Sequence, residues 1–210
     1  MDLITFKREL FNRLGKDDGL NIKDYKETLE QVSKKSKNMV IPNYLLIIVI
    51  EEITELLEEI VEFDPYLVLS EYPYISEGDD DIRYHILEEC ADNIICIKHL
   101  SYMFGFDDDF CSRYVEELNG DRKSIRYSIL TDLGRERSIG VLLDMQKFCT
   151  KYLRKSRNTD ICLSEDLLGK YYMVVDGILQ NLFTDKEREN AIIVKLQRLE
   201  DTVACNGFYY

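Results

Sequence analysis

Apolar residues recur along this chain at three- and four-residue spacings, the period of a helix that buries one stripe. Leu3, Phe6, Leu10 and Leu14 set the rhythm from the start. A break at Gly19 and Asn21 precedes a more polar helix predicted over 22–37, whose Lys34, Lys35 and Lys37 suit the negative end of a helix dipole. Between 43 and 63, Leu46, Val49, Ile50, Ile53, Leu56, Leu57 and Ile60 keep the helical period. Glu51, Glu52, Glu55, Glu58, Glu59 and Glu62 take the opposite side. Pro65, Pro73, Gly78 and the run Asp79 to Asp81 predict a loop, with Asp81 as N-cap of a helix over 82–104 that ends at Gly105.

Further helices are predicted over 110–118, 137–155, 164–183 and 184–203, with a break at Asn119 and Gly120. Thr184 and Glu187 have capping-box spacing. Three Pro and 10 Gly are too few for the turns of a sandwich or barrel, so the expected class is all-α, a helical bundle. The apolar rhythm of 142–153 repeats that of 50–61, and Asp176 follows in a helix as Asp92 does. The chain divides into a first half over 1–126 and a second over 127–210, which are either a diverged tandem duplication or two sets of amphipathic helices that resemble one another by default. Leu143 and Lys147 stand where Glu51 and Glu55 would fall, so the second copy would be catalytically empty.

Composition narrows the partners. Hydrophobic residues at 45% and charged residues at 32% can build a core, which excludes general disorder. With 27 Lys+Arg against 40 Asp+Glu, the net charge of −13 disfavours nucleic acid and anionic membrane as primary partners. No apolar run approaches the roughly 18 residues of a membrane span. The charged residues of the first segment do not form a secretory h-region. Six Cys without a CxxC pair sit mostly among apolar residues, as buried thiols of a reducing cytoplasm would.

The chemistry lies in two acidic patterns. Glu51, Glu52 and Glu55 form EExxE, which at about 100° per residue falls within one turn and one arc. Glu89 and Asp92 form ExxD, with Glu88 beside them. Packed antiparallel, the two helices would gather four or five carboxylates, the ligands that a hard cation such as Mg²⁺ prefers. A di-iron bundle would ask for Glu-x-x-His, and neither His85 nor His99 lies three residues after a Glu. Glu58, Glu59 and Glu62 read as an ordinary solvated face, and His99 as a helix histidine on the stripe of Asp92.

The segments IEEITELLEE from Ile50 and ILEECADNII from Ile86 resemble the motifs of MazG-like nucleotide pyrophosphohydrolases, the all-α NTP pyrophosphatase superfamily. The resemblance implies that Glu52, Glu55, Glu89 and Asp92 hold Mg²⁺, while Glu51 completes the first motif and helps to orient or activate a water. Asn119, Arg122 and Lys123 lie where related enzymes carry Asn and basic residues, and would bind the nucleotide. The implied reaction takes a nucleoside or deoxynucleoside triphosphate to monophosphate and pyrophosphate, for nucleotide-pool clearance. The implied assembly is a homodimer, or a pseudo-dimeric monomer if residues 127–210 replace the partner.

The alternative is a non-enzymatic all-α interaction module that retains the bundle. As an enzyme, the protein should lose hydrolysis on Glu52→Gln or Asp92→Asn. Both substitutions are also expected to stabilise the metal-free fold by removing like-charge repulsion.

Overall fold

The computed structural model describes residues 42–63, 77–107, 110–117, 127–155 and 162–206, and every regular element among them is a helix. The helices are α1 (Pro42–Glu62), α2 (Glu77–Phe104), α3 (Phe110–Glu117), α4 (Asp132–Lys155), α5 (Glu165–Leu182) and α6 (Asp185–Asn206). The segments predicted helical over 3–14 and 22–37 lie outside the described residues. Among the described residues, no helix is long and apolar enough to cross a membrane.

The apolar stripe read from 46 to 60 is the buried face of α1: Leu46, Val49, Ile53, Leu56 and Ile60 are fully enclosed. They pack against Ile86, Ala91, Ile97 and Leu100 of α2 and against Leu142, Met145 and Cys149 of α4 in one core. Helix α2 is the hub, because it packs against α1, α5 and α6. Its pairing with α1 is antiparallel, since Asn93 meets Glu52 while His85 faces Glu59. Its pairing with α5 is also antiparallel, with Asn93 at Tyr171 and Arg83 at Leu182. Helix α6 returns parallel to α2, placing Glu187 at Arg83 and Lys195 at Asp92. Helix α4 closes the bundle against α1 and α5, and its Gln146 amide donates to Thr54 Oγ1 at 2.7 Å.

Local chemistry sets most helix ends. Gly105 takes φ +80° after α2, and the Phe106 N–H bonds back to the Ser101 carbonyl at 2.9 Å, the hydrogen bond of a Schellman terminus. Ser164 caps α5 by accepting from the Leu167 N–H. Thr184 and Glu187 form the predicted capping box at α6: the Glu187 carboxylate accepts from the Thr184 N–H, and the Thr184 hydroxyl accepts from the Glu187 N–H.

Two starts differ from the expectation. Helix α2 begins at Glu77 rather than 82, so Gly78 and the Asp79 to Asp81 run are helical instead of a loop. Acidic residues next to a helix N-terminus favour the helix by about 0.3–1 kcal/mol each, enough together to offset the roughly 1 kcal/mol that one glycine costs. Helix α4 begins at Asp132 rather than 137, because Thr131 accepts from the Gly134 N–H and caps it there.

Candidate metal centre

The centre rests on a buried polar joint between three helices. Asn93, fully enclosed, donates to the carbonyls of Glu52 at 2.9 Å and Glu89 at 2.8 Å, and its own carbonyl accepts from the Tyr171 hydroxyl. This clamp fixes the axial register of α1 on α2, so the EExxE and ExxD turns lie side by side. Ligand oxygens of Glu52, Glu55 and Glu89 consequently fall within 4.8 Å of one another. Glu52 is buried, Glu89 half-buried and Glu55 exposed, so the group opens to solvent on the Glu55 side.

Like charges this close cannot all remain ionised. Burial, and then the charges of Asp92, Glu55 and Glu89, push Glu52 up to about 8, against a smaller lowering by Lys195. Burial raises Glu89 to about 7 against the pull of Lys195, with help from Asp92 and from a hydrogen bond to Glu55. The second Glu89 oxygen, Oε2, is buried with no hydrogen-bond partner.

Asp92, one turn along α2 from Glu89, is engaged outside the triad. It is hydrogen-bonded and ion-paired to Lys195 of α6, and each side chain is 13% exposed. Burial raises Asp92 while Lys195 opposes the rise. For Lys195, burial acts downward, but the Asp92 hydrogen bond and the charges of Asp92, Glu89 and Glu88 together lift it above the usual lysine value. One turn earlier, Glu88 accepts from Arg198 at 2.9 Å. Of the five expected acids, three therefore converge, Asp92 stands beside them in an ion pair, and Glu51 is exposed outside the group. Asn119, Arg122 and Lys123 lie outside the described residues.

The chain matches no family model, and no curated protein and no solved structure matches it.

The donors of Glu52, Glu55 and Glu89 fit a hard dication. All are carboxylate oxygens, Glu89 also carries a buried oxygen without a hydrogen-bond partner, and metal–oxygen distances of about 2.1 Å bring opposite ligands to about 4.2 Å, close to the span already present. Such a cation would hold Glu52 and Glu89 ionised and satisfy the orphan oxygen. His99, two turns beyond Asp92, is held neutral: burial lowers it to about 4, and its Nε2 is enclosed without a partner.

The sequence reading missed Lys195, Arg198, Asn93 and Tyr171. Asn93 was legible in principle as an amide inside an apolar helix face. Lys195 and Arg198, on a polar helix more than 100 residues from their partners, carried no local signal.

Proposed function

We propose that the protein is a Mg²⁺-dependent nucleoside triphosphate pyrophosphohydrolase that releases nucleoside monophosphate and pyrophosphate. The observation that carries the reading is the convergence of Glu52, Glu55 and Glu89 within 4.8 Å, with an unpartnered buried oxygen on Glu89. Glu52, Glu55, Glu89 and Asp92 would hold the metal. When bound, it would neutralise phosphate charge and lower the pKa of a bound water. Glu51, exposed outside the group and on the same turn of α1 as Glu52 and Glu55, would orient or accept a proton from the attacking water. Lys195, beside the group on α6, would bring positive charge toward the triphosphate.

The substrate class is nucleoside or deoxynucleoside triphosphates and the role is nucleotide-pool clearance in the cytoplasm, where the buried thiols of Cys90, Cys96, Cys111 and Cys149 stay reduced. The assembly is a homodimer, or a pseudo-dimeric monomer in which α4 and α5, packed on α1 and α2 within one chain, take the partner's place.

The test is a panel of ribo- and deoxyribonucleoside triphosphates incubated with the protein in Mg²⁺ or EDTA, followed for pyrophosphate and monophosphate. Mg²⁺-dependent release that disappears in Glu89→Gln and Asp92→Asn is the expected result. Absence of release across the panel would sink the reading.

The Asp92–Lys195 pair and the raised Glu52 and Glu89 favour a second reading, because protons and a lysine can neutralise the cluster without metal. The bundle would then be an interaction module whose binding is indifferent to chelator.

A further inference from the structure

Helices α2 and α6 run parallel and leave a cleft of about 390 Å³ between them. Its walls are Tyr84 and Leu87 from α2, Phe183 from the α5–α6 connection, and Asn190, Ala191 and Val194 from α6. We propose that this cleft is the nucleoside subsite of the carboxylate centre, an assignment that rests on the pyrophosphohydrolase reading.

Position argues for it first. Tyr84 and Glu88 line the cleft and Asp92 follows them at the same four-residue spacing on α2, as Lys195 follows Ala191 on α6, so the cleft runs along one face toward the Asp92–Lys195 pair. Glu88 in the cleft and Asp92 beside the carboxylate group are about 6 Å apart along the helix axis on that face, a separation that a phosphate chain bridges.

Chemistry argues next. Small-molecule sites are mostly apolar concavities of about 300–1,000 Å³ with a few placed polar groups. Leu87, Ala191, Val194 and Phe183 supply the apolar surface, and the exposed Asn190 supplies an amide for a base edge. The Tyr84 ring, 53% exposed, offers a face for stacking.

The far wall is fixed before any ligand arrives. The Arg83 guanidinium donates to the Leu182 carbonyl at 2.8 Å and to Glu187 at 3.1 Å, and lies 4.8 Å from the centre of the Phe183 ring. With Arg83 and Glu187 paired to each other and Glu88 paired to Arg198, the cleft presents no uncompensated charge, as suits a neutral base and sugar rather than phosphate.

The experiment separates the two ends of the substrate. Binding of α,β-methylene nucleoside triphosphate analogues and of inorganic tripolyphosphate, each with Mg²⁺, is measured by calorimetry on the wild type, Tyr84→Ala and Val194→Trp. Both substituted residues are exposed, and a melting curve checks that each variant is folded. Loss of a stacking face, or a blocked cleft, should weaken the analogue about tenfold while tripolyphosphate changes less than about twofold. Unchanged analogue affinity in both variants, or equal loss of the two ligands, overturns the subsite and leaves the metal centre standing. A wild type that binds neither ligand with Mg²⁺ overturns the metal-centre reading itself, and the subsite with it.

Discussion

Asn93 does at the residue level what the acidic motifs alone cannot. It satisfies two main-chain carbonyls and one phenol inside the core, so removing it strands partners where water does not reach. Asn93→Leu should cost about 3 kcal/mol in urea denaturation, and Tyr171→Phe about 1–2 kcal/mol. The double variant should lose less than the sum, because the two share one hydrogen bond.

The carboxylates themselves behave differently from one another. Burial and neighbouring like charges push folded Glu52 up to about 8, against about 4.5 for an unfolded glutamate. The stability its proton confers is complete below the unfolded value and is lost as pH rises through 8. In metal-free buffer, Glu52→Gln should therefore gain stability over wild type, by a margin that widens across that window. Asp92→Asn should do the opposite and cost about 2 kcal/mol or more, because it leaves the Lys195 ammonium, 13% exposed, without its ion pair. The like-charge argument from sequence assigned both substitutions the same sign; with the ion pair, opposite signs are expected.

Helix ends hold the lesson at the scale of elements. Caps written in adjacent residues, such as Thr184 with Glu187, were readable because their hydrogen bonds are local. The start of α4 was not, because it depends on the chain folding back on itself: a Cβ on Gly134 would come within 2.1 Å of the Ser128 carbonyl oxygen. That oxygen is main chain and cannot swing aside. Gly134→Ala should consequently destabilise the protein by about 2 kcal/mol, lowering the melting temperature by several degrees despite alanine's better helix propensity. An unchanged melting temperature would mean that this turn opens at little cost.

For the molecule as a whole, a cation bound only by the folded state stabilises it through mass action. Mg²⁺ at about 100 times its dissociation constant should add about 2.7 kcal/mol, a rise of several degrees for a chain of this size. EDTA should reverse the rise, and Glu89→Gln should abolish it. Calorimetric scans with and without chelator check this independently of any substrate.

The period of the apolar residues by itself determined the all-α class, because burial of one stripe at 3.6-residue spacing is a local property of each segment. It also placed Glu52, Glu55 and Glu89 on turns able to face one another. Only the tertiary structure decided how those turns are used. The Asn93 clamp sets the axial register, Glu51 is left in solvent, and α6 delivers Lys195 to Asp92 from a distant part of the chain. A helix's period fixes which face is buried, but not which neighbour covers it; that choice belongs to the packing of all the helices together.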